Sequence, residues 1–236
     1  MKKSWFFSKL LLVGTCLTLS LSSHAQEVSG NVTLTSDYSF RGWSQTTRDP
    51  AIQGGFDIEL SDSGFAVGTW ASTVNFGSDA SLELDLYVSY SFDSMMFPWS
   101  VSMIRFEYPS EGEDLDYMEF SAQIDTPFLD DFSGSLSVGM NYSTEYLGAG
   151  GPAFFYPFAA LELPIENFGS FGAQVGWSSV DEDHFFGEDT ESYLDYRISL
   201  TNTFSGLDLT FAFVGTDMED VKDAEPRILL ELSKSL

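Results

Sequence analysis

His184 sits among Asp181, Glu182 and Asp183, and it is one of two histidines in the chain. A histidine beside carboxylates can take a proton as a general base, so this stretch is the candidate for hydrolytic chemistry. The plainer reading is a solvated acidic segment that contains one histidine. Carboxylates also cluster at Glu111, Glu113, Asp114 and Asp116, across 181–191, and at Asp217, Glu219, Asp220, Asp223 and Glu225. Such clusters can hold Ca²⁺ or Mg²⁺, but none has the spacing of an EF-hand loop, and charge runs are usually solvated. One cysteine and two histidines leave no zinc-finger spacing and no disulfide framework. No catalytic residue, metal ligand or cofactor is assigned on these grounds.

A second set of charges has a regular setting. In 82–92, Leu82, Leu84, Leu86, Val88, Tyr90 and Phe92 alternate with Glu83, Asp85, Tyr87, Ser89 and Ser91. That period of two places the apolar and polar groups on opposite faces of a strand. The pattern recurs over 28–42, 52–60, 118–125, 132–143, 171–178, 193–202, 207–216 and 227–236. The polar phases carry Asp37, Arg41, Asp57, Glu59, Glu83, Asp85, Glu119, Asp125, Asp195, Arg197 and Asp208, while the apolar phases of the internal segments carry no charge. Three further segments are irregular. The phase of 65–74 is ambiguous. A switch near Met103-Ile104 predicts a bulge, which would turn Arg105 to the polar side. Pro157 within 154–163 calls for an edge or a bulge.

The elements that must position these residues are therefore strands, about twelve of them, an even number as in single-chain outer-membrane barrels. No stretch keeps a helical period. Connections near 61–64, 93–98, 126–131, 164–170 and 204–206 are short, and most of those between them are longer, the asymmetry of such barrels. Val-Gly recurs at Val67-Gly68, Val138-Gly139, Val175-Gly176 and Val214-Gly215, which fits strongly curved sheet better than duplication. Residues 1–25 read as a secretory signal: Lys2, Lys3 and Lys9 precede an apolar run from Leu10 to Leu21, and Ser23-His24-Ala25 offers a cleavage site. The barrel would then occupy 26–236. A net charge of −26 excludes a nucleic-acid partner, which needs a positive surface. An aromatic content of 16% excludes a disordered acidic chain.

Alternation alone does not say which face is inside. Placing Glu83 and Asp85 toward lipid would be costly, since a cation at mid-depth costs about 2–4 kcal/mol and an acid somewhat less. The polar face is therefore expected to line the lumen. Aromatics gather at both strand ends. Tyr38, Phe40, Trp43, Tyr142, Tyr146 and Trp177 lie toward the long-loop end. Phe92, Phe97, Trp99, Phe128, Phe132, Phe168 and Phe171 lie toward the other, and two belts suit two membrane interfaces. Lys234 falls on the apolar phase but near the periplasmic end, where it can reach the headgroups.

The segment from Thr35 to Gln45, TSDYSFRGWSQ, resembles the opening signature of the TorF family, also known as the Gcw_chp family, whose members are taken to be porins. The resemblance continues in 49–57, 64–70 and 82–87, and in the ending Leu232-Ser233-Lys234-Ser235-Leu236. It implies a bacterial outer-membrane barrel and a pore, with no substrate and no catalytic residues.

The expectation is an all-β, transmembrane, antiparallel up-and-down barrel acting as a porin-like channel for small solutes or ions. Asp37, Arg41, Asp57, Glu59, Glu83, Asp85, Glu119, Asp195 and Arg197 would line the pore. Nine lumen acids against Arg41 and Arg197 would favour cations. Its surroundings would be outer-membrane lipid and lipopolysaccharide. The alternatives are a non-conducting barrel with acidic binding loops, or an outer-membrane hydrolase around His184. The mature protein should fractionate with the outer membrane and shift on gels between unheated and heated samples. Recovery as a soluble periplasmic protein would overturn the barrel.

Overall fold

The computed structural model describes residues 27–60, 63–94, 97–109, 115–128, 134–187 and 190–236. The signal segment, Glu111, Glu113, Asp114, Phe132, Glu188 and Asp189 lie outside them. Twelve antiparallel strands form one closed barrel. They are β1 (Glu27–Thr35), β4 (Ala51–Leu60), β5 (Phe65–Thr73), β6 (Leu82–Asp93), β7 (Pro98–Glu107), β8 (Tyr117–Phe128), β9 (Gly134–Ser143), β10 (Phe154–Ile165), β11 (Gly169–Val180), β12 (Ser192–Phe204), β13 (Leu207–Thr216) and β14 (Arg227–Ser235). Two short strands, β2 (Ser39–Phe40) and β3 (Trp43–Ser44), pair only with each other. Each barrel strand pairs with its sequence neighbours, and β1 pairs with both β4 and β14 to close the ring. The backbones of Gly30 and Leu236 extend that seam. Closure gives the strand edges partners, as a hydrocarbon layer requires.

The strands run 9 to 13 residues, enough to cross a bilayer when tilted. Connections at one end have two to five residues and those at the other eight to fifteen. The parity of each strand decides its facing. Outward positions are apolar and exposed: Ile228 at 72%, Val28 at 62% and Phe56 at 58%. Inward positions on the same ladders hold the charges, with Glu119 at 0% and Glu83 at 2%. Phe65, Tyr90, Phe92 and Trp99 form an outward aromatic row near the short-turn end, with successive centroids 4.6, 5.6 and 6.4 Å apart. Lys234 points outward at that end and donates to the Gly206 carbonyl at 3.0 Å.

Four expectations need correction. The first strand stops at Thr35, and the chain from Ser36 to Pro50 turns into the barrel. Tyr38, Phe40, Trp43 and Tyr146 therefore belong to an interior cluster and not to an outer aromatic belt, whereas Tyr142 and Trp177 do face outward. Strand β7 pairs with β6 in one unbroken register from Leu84↔Glu107 to Asp93↔Pro98, so there is no bulge at Met103. Arg105 consequently lies on the outer wall, where it pairs with Asp116 (2.9 Å) and approaches Glu107 (3.7 Å). Pro157 needs neither an edge nor a bulge. Its ladder with β9 continues, and pairing with β11 skips Tyr156 and Pro157 and resumes in the same register.

The Val-Gly pairs have a packing cause. Gly68 lies under Tyr87, Gly139 under Phe158, Gly176 under Tyr156, and Gly215 under Tyr196. A β-carbon at any of the four would collide with the aromatic ring on the next strand, so glycine makes room for a ring laid across the sheet.

Leu200 faces lipid and its neighbour Thr201 faces the inner-end lumen. Cysteines placed singly at the two positions should behave oppositely toward a water-soluble maleimide, with Thr201→Cys labelled and Leu200→Cys spared. Equal labelling would overturn the facing.

Candidate functional site: the lumen and its inserted hairpin

The inserted segment is built around one carboxylate. Asp37 Oδ1 accepts from Ser44 Oγ (2.5 Å) and Thr46 Oγ1 (2.8 Å), and its other oxygen is paired with Arg227 Nε on β14. Thr35 Oγ1 donates to the Asp37 carbonyl (2.7 Å), bending the chain where β1 ends. Between these anchors β2 and β3 form a hairpin whose two-residue turn is Arg41-Gly42, with φ of 49° and 84°. Two successive positive φ values mark the tight hairpin turn that suits strand twist. Gly42 also comes so close to β13 that a side chain there would run into Thr216 Cγ2 and the Gly215 carbonyl. Arg227 Nη1 donates to the Gly42 carbonyl at 2.7 Å, fixing the tip from the other side.

The turn aims Arg41 across the lumen. Its guanidinium meets Glu119 of β8 through two parallel bonds, Nη1–Oε1 at 2.7 Å and Nη2–Oε2 at 2.6 Å. The rings of Phe40, Phe154 and Tyr156 have centroids 4.5, 4.6 and 4.4 Å from its central carbon. The side chains of Arg41 and Glu119 are 5% and 0% exposed. A forked pair with ring contacts is the geometry in which burial of an arginine is best compensated. Tyr38 on the hairpin and Tyr108 at the end of β7 both donate to Glu83, at 2.7 and 2.8 Å. Tyr156 donates to Asp195 at 3.1 Å.

Around these polar contacts the outer part of the lumen is filled with rings. Phe106 stacks on Tyr117 (4.5 Å), Tyr117 meets Tyr146 edge-on (5.2 Å), and Tyr146 stacks on Phe154 (4.0 Å). Trp43 packs on Tyr193, and Phe186 from an outer loop covers the same ring. Burial pushes the phenol of Tyr146, in the outer loop, up to about 12. The inner part is different. Ser89, Ser91, Ser102, Ser121, Gln123, Gln174, Ser199 and Thr201 face a space that reaches solvent, and most are half-buried. Arg197 of β12 and Glu231 of β14 line one side of it, joined over β13 by a second forked pair at 3.1 and 2.6 Å. The lumen is thus a wet vestibule at the short-turn end, closed by a dry plug at the long-loop end.

Each expected lining residue points inward, but into two different settings. Glu83, Asp85, Glu119 and Asp195 are buried under the plug. Asp57, Glu59, Asp125, Arg197 and Asp208 face the vestibule. Asp37 and Arg41 are not wall residues, because they belong to the hairpin itself. Arg227 and Glu231 went unrecognised although they share the polar phase of the last strand. The parity of Tyr117 with Glu119, and of Tyr193 with Asp195, was the legible sign that the outer lumen holds rings. His184 lies in the outer loop 181–191 with φ of 65°, and its carbonyl accepts from Gly187 N–H at 3.3 Å. Among the described residues no three His, Cys, Asp or Glu side chains gather as a metal site.

The sequence profile of the Gcw_chp family, described as a bacterial protein of unknown function, matches residues 21–230. No relative among the curated proteins matches the chain. Among solved structures, the NanC porin superposes with a TM-score of 0.57 at 9% identity, covering 88% of this chain and 98% of that one. LpxR from Salmonella typhimurium superposes at 0.51 with 8% identity, covering 88% and 99%. An outer membrane channel from Pseudomonas putida F1 aligns at 0.49 with 11% identity, covering 94% and 99%. At such identities the likeness is one of fold, that of bacterial outer-membrane barrels.

Truncating one partner of the Arg41–Glu119 pair leaves the other charge buried and uncompensated. Glu119→Ala is expected to cost about 3–5 kcal/mol, read as a lower urea midpoint for loss of the folded gel band. Gly42→Ala should also destabilise, through collision with β13. A wild-type midpoint for Glu119→Ala would mean that the pair is not buried.

Proposed function

The chain belongs to the Gcw_chp family, and from that premise and the barrel's geometry we propose a porin-like channel of the bacterial outer membrane that passes small cations. The observation that carries this reading is the sorting of charge in the lumen. Each inward-facing arginine is already held by a carboxylate: Arg41 by Glu119, Arg197 by Glu231 and Arg227 by Asp37. Carboxylates remain in excess, with Glu83, Asp85 and Asp195 toward the outer end and Glu59, Asp125 and Asp208 toward the inner. A low-dielectric wall focuses their field into the lumen, drawing cations in and repelling anions. The hairpin closes the outer end while it is seated, so ions pass when it is displaced. The vestibule supports the reading independently: serines, threonines and glutamines, with two charges already paired along one wall, make a surface suited to water and ions.

The zero-current potential across a KCl gradient in a planar bilayer tests this. Cation preference is expected at low salt, fading as the Debye length falls from about 10 Å at 0.1 M to about 3 Å at 1 M. Asp125→Asn with Asp208→Asn should weaken it. Anion preference would overturn the charge map. Absence of conductance would leave a closed barrel that presents its acidic loops outward.

A further inference from the structure

The cage around Arg41 has the form of a receptor with its ligand attached. Two of its rings, Phe154 and Tyr156, and its carboxylate, Glu119, belong to the barrel wall; Phe40 and the guanidinium come from the hairpin. We propose that this wall site binds the guanidinium group of free small solutes, and that Arg41 is its tethered occupant. The proposal deepens the channel reading, which supplies the route by which a solute reaches the site.

Three features carry it. The forked contact with Glu119 matches a planar guanidinium and no compact ammonium ion, and the flanking ring faces suit a flat, delocalised cation. Arg41 occupies the first position of a turn with positive φ, where Gly, Asn or Asp is at home, so the backbone there does not ask for an arginine. The guanidinium does not exhaust the acidity around it: Asp195 Oδ2 and Asp85 Oδ1 are buried without a hydrogen-bond partner. Asp195 is only 3% exposed, and its other oxygen is held by Tyr156, a wall of the cage. The hairpin has a separate anchor in Asp37 and Arg227. Vacating the cage and unseating the hairpin are therefore separable events.

The test uses the full-length protein in detergent micelles and then in bilayers, with methylguanidinium as the probe. Arg41→Gly empties the cage and keeps a residue that accepts the turn. Arg41→Asn, an Asn-Gly turn, is the second variant should the first not fold. Either should melt below wild type, and millimolar methylguanidinium should raise the midpoint by roughly 2–4 °C. Sodium or tetramethylammonium chloride at equal ionic strength should not. Adding Glu119→Gln should abolish the effect. In bilayers the same probe should reduce whatever current the emptied variant carries more strongly than sodium does. An equal response to all three cations, or a methylguanidinium effect that survives Glu119→Gln, overturns the proposal. A silent bilayer with the selective thermal effect intact supports the receptor and counts against the channel alone.

Discussion

A hydrocarbon layer solvates neither a bare peptide group nor a charge, and both halves of this architecture follow from that. The first demand is met by closure: β1 meets β14, so the twelve-strand ladder has no open edge in the membrane. The second is met by parity. Because side chains alternate strictly, a strand that shows lipid Leu82 and Leu84 must show the lumen Glu83 and Asp85. Sending most strand charges inward, with Arg105, Glu107 and Lys234 toward strand ends as outward exceptions, moves the electrostatic problem to the interior. Three inward arginines answer it in pairs, each with a carboxylate from a different element.

A ring of twelve strands is too wide for its own side chains to fill, and the chain resolves this differently at its two ends. At the inner end small and polar residues leave room for water. At the outer end tyrosines and phenylalanines project from β7, β8, β10 and β12 and still need the hairpin to close the centre. Its tip carries the charge that this crowded region can use least freely, and that charge is held by a fork of two hydrogen bonds and three ring faces. Buried pairs of this kind add little net stability compared with apolar packing, but they are unforgiving of mismatch. They therefore place the hairpin in one register more than they strengthen the barrel.

The segment from Thr35 to Thr46 gains a physical meaning from this arrangement. Thr35, Ser44 and Thr46 supply hydroxyls to Asp37 or its carbonyl, Tyr38 reaches Glu83, Arg41 reaches Glu119, and Gly42 passes close to β13. These residues specify an inward fold of the chain and its docking partners. A stretch that alternates like a strand is thus a plug, and its polar residues bond to one another and to the wall in place of water.

What the residues determined by themselves was whatever depends on local period and on transfer energies. Strand number, facing, the inward placement of Glu83, Asp85, Glu119, Asp195 and Arg197, and the contrast of short turns with long loops all follow from alternation and the cost of charge in lipid. Alternation says nothing about where a strand ends when the next residues keep the same rhythm, so Ser36 to Gly42 was indistinguishable from more strand. Whether the lumen is wet or dry was also undetermined, because it depends on which distant side chains meet across the barrel. Glu119 is 78 residues from Arg41, and Arg227 is 190 from Asp37. Only closure of the ring brings them within bonding distance, and only then do the same polar residues divide into a solvated vestibule and a buried lock.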